Sequence, residues 1–306
     1  MNIKTIINKI FLYFSLNISL AKKNQILSSQ EIERVNSNTL DYIKSLSFKE
    51  LNERVNSITY NGLLSIESIT AINSILVKNG IVVIPGFLDS SLIDESKKII
   101  ENIIQNIKKN KHFKNENAKN YIVQNKTING QSYYDISNNS KSVIVIRQGN
   151  DQGMIDIFNV DRLLGKLGDE VYKVFLIDWL VDLLKNSNEP VKPKNLNLYI
   201  NHSITNTRGF HVDSYYRSIK GFIYLTDVNT IDDGPYCYVK GTHVETPFGK
   251  VNKLLGGKEA PFTNFTNIIP VLGKKGTLVL SDQSGIHRGI PQKKDSIREV
   301  FVMRYA

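Results

Sequence analysis

The sequence predicts a mainly β fold with flanking helices, its strands running antiparallel in a sandwich or barrel. Three observations carry this. From residue 196 onward, short segments at 196–200, 220–225, 236–239, 276–280 and 300–305 alternate apolar and polar side chains, the period of two that a half-buried strand requires. Breaks between them fall at Gly209, Asp233-Gly234-Pro235, Gly241, Gly273, Gly285 and Gly289, residue types that punctuate turns. The first half instead carries apolar residues at helical spacing.

Residues 29–51 are polar with that spacing, and Ser29-Gln30-Glu31-Ile32 suits a helix start. A second helix is expected over 66–79, with Ser65 as its cap and Gly80 as its stop, leading into an apolar strand over 81–87 that ends in a turn. Asp89-Ser90-Ser91 caps a helix running to about residue 107, after which the lysine- and asparagine-rich run 108–120 reads as a solvated loop. Val143-Ile144-Val145-Ile146 forms a strand, and 171–184 a helix with Trp179 on its buried side. No repeat and no linker rich in Pro or Ser interrupts the chain, so one domain behind a helical layer accounts for its length.

With 306 residues, 41% hydrophobic and 22% charged, the chain has ordinary globular usage and enough length to bury a sizeable core. A net charge of +10 and a pI of about 9.4 raise the question of an acidic partner. The lysine excess is spread throughout, as in Lys108-Lys109-Asn110-Lys111, and neither an arginine-rich helix nor a recognition motif accompanies it. No nucleic-acid partner is therefore expected. The single cysteine, Cys237, excludes an internal disulfide and a multi-cysteine zinc site, fits a reducing cytoplasm, and reads as a small buried apolar residue. Residues 6–20 (IINKIFLYFSLNISL) are apolar, but Lys9 and Asn17 interrupt them and no small-x-small cleavage site follows. The run is also shorter than the roughly 20 residues of a spanning helix. A docking or interfacial helix is expected, with peripheral membrane contact through residues 1–25 left open.

His211-Val212-Asp213 lies just after Gly209-Phe210, between two strand-like runs. Period-two geometry sends its two outer side chains to one face, where both can reach one metal. His287, 76 residues downstream and just past the strand-like Thr277-Leu278-Val279-Leu280, is the candidate third ligand. Two imidazoles and one carboxylate on one face leave three positions open, the arrangement associated with iron(II) oxygenases. Arg298 follows eleven residues after His287. Its guanidinium can clamp a carboxylate with two parallel hydrogen bonds, as lysine cannot. A dicarboxylic co-substrate suits that pair of features, its oxo-acid end on the iron and its distal carboxylate on Arg298. Asn197 and Tyr199 precede the His-x-Asp loop on a strand whose alternate residues face inward, and either can bond the oxo-acid. His243 is read as non-ligating, and His202 and His112 as structural or exposed.

Taken together, in this order and with these intervening strands, the residues resemble the phytanoyl-CoA dioxygenase family of iron(II) and 2-oxoglutarate enzymes. Residues 78–87 (KNGIVVIPGF) look like that family's helix-to-strand opening, and 233–243 (DGPYCYVKGTH) are similar to its "NGP…PGSH" segment, with Lys240 where proline is more usual. The resemblance covers roughly residues 75–306. It implies a double-stranded β-helix (jelly roll, cupin-like) with helices packed outside, residues 1–60 forming a helical extension and 61–306 the dioxygenase domain. It further implies Fe(II), 2-oxoglutarate as co-substrate, and O2. Tyr224 is similar in placement to an aromatic residue lining the family's co-substrate pocket, and the histidine matching His243 shapes a turn there. Halogenating relatives replace the carboxylate ligand with a small residue, so Asp213 favours hydroxylation or a related oxidation.

Arg147-Gln148-Gly149, Arg208 and Ser214-Tyr215-Tyr216-Arg217 can surround the mouth of such a site, offering cations and aromatic faces. A small polar or anionic substrate follows as the expectation: a sugar, a nucleotide-sugar or a phosphorylated metabolite. No motif resembles one for CoA. The alternative from a different class is a catalytically silent jelly-roll binding protein, against which the complete ligand set and Arg298 stand.

Overall fold

The computed structural model describes residues 29–65, 67–109, 120–122, 142–147, 150–176, 180, 193–255 and 257–305. The polar lead-in folds as two helices, α1 (Ser29–Ser45) and α2 (Phe48–Asn56). They part at Ser47 because a capping box forms there: Ser47 Oγ accepts from the Glu50 amide at 3.3 Å while Glu50 Oε2 accepts from the Ser47 amide at 2.9 Å. The next helix, α3 (Ser68–Asn79), starts later than its spacing suggests. Ser65 does not cap it, since its carbonyl accepts from Ser68 Oγ at 2.7 Å and closes a turn ahead of the helix. Gly80 ends it in the left-handed region, φ 76°, as the sequence leads one to expect.

Strand β1 (Ile81–Ile84) follows, then α4 (Ser90–Lys109), capped by Asp89 Oδ1 accepting from the Ser91 amide at 2.7 Å. Lys108 and Lys109 thus belong to the helix, and Asn120 opens the short strand β2 (Asn120–Ile122); the rest of the expected loop lies outside the described residues. Strands β3 (Val143–Arg147) and β4 (Ile155–Phe158) precede two short helices, α5 (Asp161–Leu164) and α6 (Lys166–Val174). The second begins earlier than the expected 171, and Trp179 lies outside the described residues, as do residues 1–28 and His112. The remaining elements are β5 (Pro193–His202), β6 (Ile219–Tyr224), β7 (Tyr236–Val239), α7 (Pro247–Leu254), β8 (Ile268–Pro270), β9 (Leu278–Asp282), β10 (His287–Gly289) and β11 (Ile297–Tyr305).

These strands form two sheets. The larger has the order β1-β9-β6-β11-β5-β4-β3-β2 and the smaller β10-β7-β8, every named pairing being antiparallel. Strand alternation then assigns each face a partner. On β11, Phe301, Met303 and Tyr305 face the helices, in a cluster with Ile72 and Leu76 of α3, Ile93 and Ile100 of α4 and Val171 of α6. Val300 and Val302 face the other way, packing with Phe222, Tyr224 and Val279 against Tyr238 and Ile269 of the smaller sheet. The outer face of that sheet, Cys237, Val239 and Ile268, is covered by Ile43 of α1 together with Phe210 and Ile286. Each such large side chain contributes roughly 1.5–3 kcal/mol when fully buried.

Mainly β with flanking helices, two antiparallel sheets face to face and no closed barrel among the described residues: this is the jelly-roll arrangement. Burial pushes the Cys237 thiol up to about 12, in keeping with a packing role. No helix among the described residues is long and apolar enough to cross a membrane.

Candidate metal centre

His211 and His287 face each other as a two-residue antiparallel bridge. The His211 amide donates to the His287 carbonyl at 3.0 Å, and the His287 amide to the His211 carbonyl at 2.9 Å. Directly opposed residues of such a pair project to the same side, and the imidazole centroids lie 4.6 Å apart. Each ring is then fixed by the residue two places before it: His211 Nδ1 donates to the Gly209 carbonyl at 2.8 Å and His287 Nδ1 to the Gly285 carbonyl at 2.9 Å. A carbonyl only accepts, so the proton sits on Nδ1 and each Nε2 presents a lone pair. Both preceding residues are glycines for a packing reason. A Cβ on Gly285 would stand 1.8 Å from Tyr238 Oη, and one on Gly209 2.5 Å from Asn36 Nδ2.

Asp213 completes the set. Its amide donates to the Gln283 carbonyl at 3.0 Å, and Val212 pairs with the Lys258 carbonyl at 2.9 Å, so the loop is held on both sides. Lys258 Nζ also reaches the Asp213 carbonyl. Asp213 Oδ1 lies 3.7 Å from both His211 Nε2 and His287 Nε2. The three ligand atoms all fall within 4.8 Å of one another. Burial, with the charges of His287 and Arg208 behind it, holds the His211 imidazole well below its usual range, hence neutral and able to donate its lone pair. Burial pushes the Asp213 carboxyl up, but Lys220 and the two histidines outweigh it and hold the group well below the usual carboxylate range. One carboxylate oxygen and two imidazole nitrogens form a donor set suited to a divalent first-row metal.

Arg298 lies on β11 opposite Asn201, on the side of Val300 and Val302 that faces the smaller sheet. Its Nη1 donates to the Gly234 carbonyl, while its Nε is buried without a partner. Its Nη2 stands 3.9 Å from where a Cβ on Gly289, two residues after His287, would be. The hydroxyl of Tyr224 donates to the Val271 carbonyl at 2.8 Å, and Asn197 Oδ1 accepts from the Asn159 amide at 3.2 Å. The Arg147 guanidinium carbon lies over Tyr199, 5.9 Å from the ring centroid, and burial raises the Tyr199 phenol.

The cations expected at the mouth are each paired. Arg147 meets Asp156 and Asp151, both at 2.8 Å, Arg208 meets Glu259 at 2.7 Å, and Arg217 lies 3.9 Å from Asp282. Tyr215 donates to the Gly257 carbonyl at 2.7 Å, and Tyr216 is exposed. Gln148 and Gly149 lie outside the described residues. His243 donates from Nε2 to the Val77 carbonyl at 2.9 Å and ties its turn to α3, while His202 meets Glu299 at 3.0 Å.

Sequence reasoning passed over four residues that the fold brings here. Lys220 Nζ lies 2.6 Å from Asp213 Oδ2. The Tyr236 ring is 5.6 Å from that of His287, and its hydroxyl shares a cluster with Ser281 Oγ at 2.8 Å and Gln283 Nε2 at 3.3 Å. The available signal was the doubled Gly-apolar-His pattern, Gly209-Phe210-His211 and Gly285-Ile286-His287, whose middle residues both enter the core beneath α1.

No family model and no curated protein matches the sequence. Solved structures do match in fold. The non-heme alpha ketoglutarate dependent carbocyclase SnoK from nogalamycin biosynthesis aligns with TM-score 0.52 at 15% identity, over 79% of this chain and 83% of that one. AviO1 from Streptomyces viridochromogenes Tue57 aligns with TM-score 0.51 at 15% identity, over 80% and 96%. The epimerase SnoN, in complex with Fe3+, alpha ketoglutarate and nogalamycin RO, aligns with TM-score 0.50 at 13% identity, over 79% and 84%. At such identities the likeness is one of fold, and it agrees with the jelly roll built above.

Proposed function

We propose that this chain is an oxygenase dependent on Fe(II) and 2-oxoglutarate, of the broad kind to which the phytanoyl-CoA dioxygenases belong. The observation that carries the reading is the convergence of His211 Nε2, Asp213 Oδ1 and His287 Nε2 within 4.8 Å on one side of a jelly roll. SnoN, solved with Fe3+ and alpha ketoglutarate, and SnoK, an alpha ketoglutarate dependent carbocyclase, share this fold and support it.

His211, Asp213 and His287 would hold the iron, and Arg298, whose Nε is buried and unpartnered, would take the distal carboxylate of 2-oxoglutarate. Iron(II) with 2-oxoglutarate and O2 supplies oxidising power sufficient to remove hydrogen from an unactivated carbon, with succinate and carbon dioxide as co-products. The residues of this chain do the rest. The two Nδ1–H···O=C bonds fix the rings, and the wall of Phe222, Tyr236 and Val300 keeps water from the inner side. SnoN is an epimerase and SnoK a carbocyclase; in this chain Asp213, which fills the carboxylate position, favours hydroxylation or a related oxidation over halogenation.

The substrate is proposed to be a small polar metabolite. Arg147, Arg208 and Arg217 each lie against a carboxylate, which favours a hydroxyl-rich compound such as a sugar over a strongly anionic one, since an anion would have to displace these pairs. The deciding experiment is anaerobic titration of the protein with Fe(II) and 2-oxoglutarate, read by the weak visible charge-transfer band of the chelate. A band lost in His287→Ala is the expected result. Metal bound with no band would instead favour a silent binding protein.

A further inference from the structure

Lys220 is out of place by composition. It lies on β6 two residues before Phe222 and four before Tyr224, on the face those aromatics turn toward the smaller sheet, and only 20% of its side chain is exposed. An ammonium there is costly to bury unless it is paired. Its partner is the oxygen of Asp213 that turns away from the imidazoles: Nζ to Oδ2 is 2.6 Å, whereas Oδ1 lies 3.7 Å from each Nε2. The two oxygens of one carboxylate therefore have separate tasks. A buried ion pair seldom adds net stability over a well-packed apolar pair, so stability alone gives a poor reason for a lysine at this position. Orientation gives a better one, because groups bonded to ligating side chains commonly set ligand geometry.

We propose, on the reading of this cluster as a metal centre, that Lys220 is a positioning residue. It pins Oδ2 of Asp213 so that the carboxylate offers the metal Oδ1 alone. Freed of Lys220, the carboxylate can rotate about its last bond and present both oxygens, occupying a position that a chelating co-substrate requires. Lysine is suited to the task because Nζ reaches Asp213 across seven residues of chain from a rigid strand, while Asp213 itself sits on a loop with a third of its side chain open to the site.

The test is anaerobic Co(II) titration of the full-length apoprotein, followed by its visible d–d absorption, in wild type, Lys220→Met and Lys220→Arg. Lys220→Met should change Co(II) affinity at least tenfold, about 1.4 kcal/mol, with a shifted band reporting changed coordination. Lys220→Arg, which keeps a charged donor, should stay within threefold of wild type and keep its band. A purely structural lysine would leave the band unmoved. Wild-type affinity and spectrum in Lys220→Met, or an equal change in both variants, overturns the role of Lys220. Failure of the wild type to bind Co(II) at all instead removes the metal centre itself. Should Lys220→Met not fold, Lys220→Gln takes its place under the same criteria.

Discussion

Tyr224, on β6, donates its hydroxyl to the Val271 carbonyl, a partner that only the packing of the two sheets reveals, and such contacts set the limit of what single residues disclose. The His-x-Asp pair was legible because both candidate ligands lie within one local period, and His287 because a strand-like run precedes it. Lys220, Tyr236 and Gln283 were not, since their approach depends on which strand lies across from which. Arg298 combines both cases: its place on the last strand was readable, but its unpartnered Nε emerges only from packing. On the proposed reading, replacing it with Ala would remove a charge-assisted contact to the co-substrate worth roughly 1.5–3 kcal/mol. The Michaelis constant for 2-oxoglutarate should therefore rise about 10- to 100-fold in steady-state assays with Fe(II) binding unchanged. A fall in turnover number alone would count against the assigned contact.

Among elements, the junction of α3 and β1 shows how a turn residue sets the position of a wall. Gly80 has φ 76°, and a Cβ there would stand 2.4 Å from Tyr238 Oη and 2.5 Å from His243 Nδ1. Gly80→Ala would combine left-handed strain of about 1–2 kcal/mol with overpacking of about 1–3 kcal/mol. A loss of about 2–5 kcal/mol in urea unfolding is expected, and a loss under about 1 kcal/mol would show that the turn relaxes freely. Glycine punctuation and apolar runs made such boundaries readable to within a few residues. The short strands β2, β8 and β10 escaped because three residues cannot display a period, β4 escaped as well, and the break between α1 and α2 was hidden in one polar, helical-looking run.

At the scale of the molecule, the sequence conveyed antiparallel strands behind helices but not their order, since an eight-stranded sheet that places β11 between β6 and β5 is decided by contacts distant along the chain. The candidate ligands likewise come from separate places, a loop before β6 and the first residue of β10. A metal binding only the assembled form should stabilise the whole by about 2.7 kcal/mol at a hundred times its dissociation constant. For a chain this long that is a rise in melting temperature of about 4 °C. Scanning calorimetry with and without Mn(II), a redox-stable stand-in, checks it; an equal rise in His287→Ala would place the stabilising ion elsewhere.

The reciprocal amide–carbonyl pair between His211 and His287 has one more implication. A strand displaced by a single step turns every side chain to its opposite face, which at β10 would carry His287 outward and bring Arg288 in. The candidate donor set exists only where the two segments have been brought into alignment, so on the proposed metal-centre reading ion capture would amount to proofreading: a molecule that retained the ion would, by that fact, have been correctly assembled.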